Sequence, residues 1–332
     1  MKPNTRRLPE ASWSSGKNPL RTIKERQTGS AFFYFSLSAL KNTVVNSFNT
    51  YRGIYYMIGS VFCFSIVNSC AKWLDSIPVH ELVFFRSLVS FALGYYFIRR
   101  LRLSVFGNNK FWLLMRGITG LIALMLFFAT IKHMPLASAS TVQYLSPFFT
   151  VLLAISMNKQ PVHRMQWLFF LLAFIGVIMI KGVDDRVPVM WLLVGIVSAV
   201  FAGLAYNSII KSKGTDHPLI IVSYFPMVSL PVTGMWCMMD WVNPVGWQWI
   251  ALLVMGVFTQ AAQYLMTLAL HSADASRIAP WNNVGAVFAI LFGFFFFGEA
   301  IHWLSLAGIA VVVTAVTLNA RYKHRIQSSA FR

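Results

Sequence analysis

The sequence predicts an all-α polytopic membrane protein, with ten transmembrane helices arranged as two inverted five-helix repeats. Three observations predict it. The 332 residues are 57% hydrophobic and only 11% charged, whereas a soluble domain carries about 25% charged residues. The apolar residues run in blocks of roughly 20, the length that crosses a bilayer as a helix, without the period-two alternation of a membrane barrel. A pattern in the first half also returns in the second: Asn68-Ser69-Cys70-Ala71-Lys72 ends one block, and Asn207-Ser208-Ile209-Ile210-Lys211 ends another 139 residues later.

Taken in order, residues 1–51 are expected to form a basic, largely disordered cytoplasmic tail, being rich in Lys, Arg, Ser, Asn and Pro. Within it, 31–40 is apolar but about half a span long. A charged tail precedes it, so an in-plane surface helix is expected rather than a secretory signal. Ten spans follow, near 53–72, 79–98, 111–131, 136–157, 165–181, 188–210, 218–239, 247–269, 274–297 and 302–320. The first five make a repeat over 52–182, the second five a repeat over 188–320, and 321–332 is a cytoplasmic C-terminal tail.

The formal net charge is +18, but the basic residues lie between the apolar blocks, which argues for membrane topology rather than nucleic-acid binding. With the N-terminus inside, the inner segments hold 22 Lys and Arg, and the outer loops only Lys72, Lys132, Lys181 and Arg186. That asymmetry predicts both termini in the cytoplasm and a multi-pass protein of the cell (inner) membrane. The three cysteines, Cys63, Cys70 and Cys237, sit inside apolar blocks with no CxxC pair, so neither a metal site nor a redox motif is expected.

The repeat extends to finer features. Pro78-Val79-His80 precedes span 2 and His217-Pro218 precedes span 7. In span 4, Ser140, Gln143, Tyr144 and Pro147 stand at i, i+3, i+4, i+7, one face of a helix; Ser276, Ala279, Pro280 and Asn283 have the same spacing in span 9. Five spans per repeat is an odd number, so the second copy enters the membrane upside down. Inverted repeats are a transporter architecture, with the substrate site near the midplane between the halves.

Polar residues inside the apolar blocks are the candidates for that site. The set is Arg86, Gln143, Tyr144, Tyr206, Asn207, Gln263, Tyr264, Trp281, Asn282 and Asn283. Amides and phenols orient a ligand and aromatic faces supply apolar area; the competing role is hydrogen bonding between helices. Arg86 is too deep to snorkel, and Glu81, at i−5, points off its face. It is left to meet either an anionic substrate group or another helix. Arg116, one turn into span 3, is expected to snorkel to the headgroups. Asp274 and Arg277, at i, i+3, could pair as a gate. Gly117, Gly120, Gly176, Gly285 and Gly293 suit close helix packing.

The sequence as an ensemble resembles the EamA-type members of the drug/metabolite transporter superfamily. The resemblance covers roughly 53–320. It rests on FFRSL (84–88), LLMRGITGLIALMLFFATIKHMPLASASTVQYLSPFF (113–149), IGVIMI (175–180) and QAAQYLMTLALHSADASRIAPWNNVGAVFAILFGFFFFGE (260–299). It implies small organic solutes carried by alternating access; family substrates include amino acids, purine-like metabolites, S-adenosylmethionine and drugs. One departure is that the first repeat ends Asn158-Lys159-Gln160 where the second has Gly298-Glu299.

No phosphate-binding loop, HExxH, GxSxG or Rossmann glycine pattern is present, so neither an enzyme nor a bound cofactor is expected. Glu81, Asp274, Glu299, His133 and His271 all lie near span ends, which favours facilitated diffusion or exchange over a proton relay. The expected function is transport of small organic metabolites, amino acids or related amphiphilic solutes, in the export direction and without ATP hydrolysis. The alternatives are uptake or exchange of a nucleoside-like metabolite such as S-adenosylmethionine, and a non-transporting membrane scaffold. The expected partners are a small-molecule solute and membrane lipids, not nucleic acid. The oligomeric state stays open, a homodimer among the options.

Overall fold

Helices begin where proline sets them. Pro78, Pro135 and Pro188 stand immediately before helices, and Pro218 occupies the first turn of another, where its missing N–H costs nothing. The computed structural model describes residues 51–158, 164–181, 186–272, 281–300 and 302–329. The helices among them are α1 (Tyr51–Trp73), α2 (Val79–Arg100), α3 (Lys110–His133), α4 (Leu136–Gln143), α5 (Ser146–Asn158), α6 (Arg164–Lys181), α7 (Val189–Ser212), α8 (Pro218–Cys237), α9 (Gln248–Ser272), α10 (Val284–Phe297) and α11 (Trp303–Ser329). No strand occurs among the described residues, as an apolar solvent demands, because a helix satisfies its own backbone. Seven elements are long and apolar enough to cross a membrane, with α4 and α5 together forming one of them; α6, α10 and α11 contribute shorter apolar helices. Together they make ten apolar segments among the described residues, one for each expected span.

The expected in-plane helix at 31–40, the gate pair Asp274 and Arg277, and Lys159-Gln160 lie outside the described residues.

The packing has a two-fold pattern that the chain's repeat explains. Helix α2 packs on α8 and α9, while α8 packs on α2 and α3. A Cβ on Gly117 of α3 would collide with Val228 of α8, and a Cβ on Gly256 of α9 would collide with Val89 of α2. Both residues of one pair lie 139 positions from their mates in the other. Likewise Ser60 Oγ on α1 donates to the Ala262 carbonyl on α9 at 2.8 Å, and Ser198 Oγ on α7 donates to the Ala123 carbonyl on α3 at 2.7 Å. The fifth spans of the two repeats, α6 and α11, cross at Gly176 and Gly308, where a Cβ on Gly176 would stand 2.8 Å from the Gly308 carbonyl oxygen. The chain is thus an all-α membrane protein of two inverted five-span repeats.

Span 4 differs from its expected form, an unbroken helix over 136–157. The α-helical path stops at Gln143 and resumes at Ser146. Pro147 supplies the reason: it has no N–H for the Gln143 carbonyl, and its ring clashes with that carbonyl. Tyr144 and Leu145 instead make tight turn bonds to Thr141 and Val142. Span 9 is interrupted at Asn283, 139 residues after Tyr144. The two spans therefore correspond through Tyr144 and Asn283, one helical turn away from the sequence match of Tyr144 with Pro280.

Candidate functional site

The break in span 4 opens onto a cavity of about 150 Å³ between the repeats. Every span except the fifth of each repeat lines it: α1 with Ser65 and Asn68, α2 with Arg86, α3 with Arg116, α4 with Ser140 and Gln143, α7 with Tyr206, α8 with Phe225, α9 with Gln263 and α10 with Gly285. Tyr144 and Ser146 enter at the break and Asn282 just before α10. Six expected site residues thus converge on one space: Arg86, Gln143, Tyr144, Tyr206, Gln263 and Asn282.

Arg86 is 2% exposed. Its guanidinium carbon lies 5.5 Å from the Phe128 ring centre and 5.4 Å from that of Phe225, within cation–π range. Its Nε has no hydrogen-bond partner. Glu81 does not serve it, because that carboxylate accepts the Val242 N–H at 3.0 Å in the α8–α9 connection. Arg116 does not snorkel as expected. It is 5% exposed, lines the cavity and donates from Nη2 to Gln263 Oε1 at 2.9 Å. Gly120, one turn on, leaves the space its guanidinium fills. The neighbouring glycines of the Arg116-Gly117-Ile118-Thr119-Gly120 stretch were the available signal that this cation points inward. Arg116 also stands 5.7 Å from the Phe225 ring centre, so two cations lie over one aromatic ring.

The remaining polar lining is neutral. Gln143 Oε1 is 3.1 Å from Ser198 Oγ, and the buried Ser140 hydroxyl has no hydrogen-bond partner. The Tyr144 hydroxyl fits against Gly285, where any Cβ would collide with it. Asn68, which marks the repeat in the sequence, also lines the cavity.

Four expected residues lie elsewhere. Asn207 donates to the carbonyls of Thr150 at 2.9 Å and Gly203 at 3.1 Å, stapling α7 to α5. Asn283 donates to Thr317 Oγ1 on α11 at 3.1 Å. Trp281 is 40% exposed at the bundle surface, as suits an interfacial aromatic. Tyr264, next to Gln263, is turned off the cavity by helix geometry, about 100° per residue.

Away from the cavity, one end of the bundle is held by a polar clasp. Gly298 ends α10 in the left-handed conformation (φ 61°), which only glycine takes cheaply. The chain turns back there, and Glu299 accepts the Leu136 N–H at 2.9 Å and pairs with Lys72. Lys72 also donates to the Met134 carbonyl at 2.9 Å. The clasp joins α1, the α3–α4 connection and the end of α10.

Comparison with known proteins agrees with this architecture. The EamA-like transporter family model matches residues 51–182 and again 189–321. The pseudopaline exporter CntI of Pseudomonas aeruginosa is 30% identical over 278 residues, covering 82% of this chain and 96% of that protein. A riboflavin transporter of Rhizobium johnstonii is 26% identical, covering 79% and 89%. Human solute carrier family 35 member G1 is 25% identical, covering 83% and 80%. A crystal structure of an 18% identical protein superposes with a TM-score of 0.61 over 83% of this chain and 98% of that one, a likeness of fold. The relatives are transporters of the drug/metabolite superfamily, and this chain is a multi-pass membrane protein that handles small molecules. It belongs to the EamA-like transporter family.

Proposed function

We propose that this protein exports a small amphiphilic organic metabolite, an amino acid or a relative of one, across the cell (inner) membrane by alternating access, without ATP hydrolysis. Both termini lie in the cytoplasm in this reading, and membrane lipids surround the ten spans. The observation that carries it is the cavity at the junction of the repeats, lined by amides, phenols and aromatic rings from eight of the ten spans. Rocking one repeat against the other about such a site would expose it to each side in turn. Export follows the similarity to a protein described as an exporter. A scaffold has no need of a buried polar cavity, whose unpaired groups cost stability.

A second reading is favoured by the rings Phe64, Phe127, Tyr144, Tyr206 and Phe225, which line the same space. They suit a planar solute, and the riboflavin transporter is a relative. In that reading the protein takes up or exchanges a nucleoside-like metabolite such as S-adenosylmethionine. The test is flux of labelled amino acids and nucleoside-like metabolites from proteoliposomes containing the purified protein. Efflux above protein-free vesicles supports transport. The absence of movement across a broad panel would leave the scaffold reading standing.

A further inference from the structure

Arg86 and Arg116 are the anomaly of the cavity. Each is at least nine-tenths buried, each leaves Nε without a partner, and both flank Phe225. No carboxylate of the described residues lies within 4 Å of either. The other polar groups lining the cavity are neutral, and Glu81, the carboxylate nearest Arg86 in sequence, pairs with neither arginine: one of its oxygens accepts the Val242 N–H and the other has no hydrogen-bond partner. Buried cations in membrane proteins are ordinarily paired, and an unpaired one is costly. Two in one small cavity form a site waiting for negative charge.

We infer that the transported solute is an organic dianion, with two carboxylates or one phosphate, held by the guanidiniums of Arg86 and Arg116. The inference rests on the transport reading of the cavity and names its substrate class. Each planar guanidinium presents several N–H donors that match a carboxylate or phosphate in pairs. The amides of Gln143 and Asn282 fix the rest of the molecule, and the Phe225 ring packs beside both cations. A cationic solute such as S-adenosylmethionine would meet two like charges and no carboxylate among the described lining residues.

The experiment measures the thermal midpoint of the full-length protein in detergent with matched probes at equal ionic strength: succinate against succinamide, glutamate against glutamine, glycerol 3-phosphate against glycerol. An acid should raise the midpoint where its neutral mate does not. Arg86→Gln and Arg116→Gln should each weaken that response about tenfold or more. Without probe, Arg86→Met should melt no lower than the parent, because removing a buried charge that has no counter-ion relieves a cost. A structural arginine would instead melt lower when replaced. Equal stabilisation by neutral mates, no stabilisation by any acid, or an Arg86→Met protein that melts well below the parent would each overturn the inference. Flux of labelled glutamate and glutamine separates the two levels. Arginine-independent movement of glutamine keeps the transport reading and sinks the anion site. Arginine-dependent binding of glutamate without movement does the reverse.

Discussion

Tyr144 and Asn283 occupy equivalent positions in the two repeats, yet only Tyr144 faces the cavity. Asn283 instead bonds Thr317 on the last span. Asn283→Ala should therefore leave flux intact and cost about 0.6 kcal/mol, the mean for such bonds between membrane helices. That predicts a thermal midpoint about 1 °C lower. Tyr144→Ala should reduce flux severalfold at normal folded yield, since its ring and hydroxyl form cavity wall. Gly120→Val should behave like an arginine mutant, because the added side chain takes the space of the Arg116 guanidinium and abuts Phe225. Its check is loss of acid-dependent stabilisation in a protein that still elutes as a single folded species. The candidate residues were legible as a class, because amides and phenols inside apolar runs are conspicuous. Their direction was not: Gln263 and Tyr264 are neighbours, and one helix step turned one in and the other away. Arg116 was misread for a similar reason. Its depth along the span looked compatible with snorkelling, and only the packing of α3 on α8 shows that its side of the helix is closed to headgroups.

At the level of elements, the ten spans could be read from hydropathy and charge, because a bilayer imposes length and composition on each helix. The break in span 4 could not. Prolines alone do not announce it: Pro226 and Pro231 lie inside an uninterrupted α8, whereas Pro147 splits α4 from α5. Neighbouring helices decide which freed carbonyls can be satisfied otherwise. Pro147→Ala restores an N–H that can reach the Gln143 carbonyl. Span 4 should then run continuously, turning Gln143 and Tyr144 from their present positions. The expected result is a thermal midpoint equal to or above that of the parent with flux lowered at least severalfold. A mutant with unchanged flux would mean that the discontinuity does not shape the site. At the α6–α11 crossing, Gly176→Leu should destabilise by about 2–4 kcal/mol, since the Gly308 backbone leaves no room for a side chain. Neither helix lines the cavity, so whatever protein folds should keep its solute selectivity.

Across the whole molecule, the two repeats are alike in packing but unlike at their ends. The clasp of Lys72 with Glu299, Met134 and Leu136 closes one end; in the proposed topology this is the outer end. The repeat relation carries Lys72 to Lys211 and position 299 to position 160. Position 160 is glutamine, and Lys211 lies over the Trp112 ring at 5.8 Å. An alternating-access cycle needs each end to close in turn, and among the described residues Lys72 has an acid partner while Lys211 makes no salt bridge. The conformers should therefore be biased toward outer closure, and exchanging the acid should move the bias. Glu299→Gln removes a charge-assisted contact of about 1.5–3 kcal/mol and should raise the outward-open population roughly tenfold or more. Gln160→Glu, which puts an acid at the repeat equivalent of position 299, should push the same way. The measurement is labelling of Ser140→Cys, a cavity position, by a membrane-impermeant thiol reagent added outside, with Cys63, Cys70 and Cys237 replaced by alanine. Both substitutions should speed labelling, and the double mutant more than either alone. If Glu299→Gln left labelling unchanged while lowering the melting temperature, the clasp would be a structural staple and not a gate.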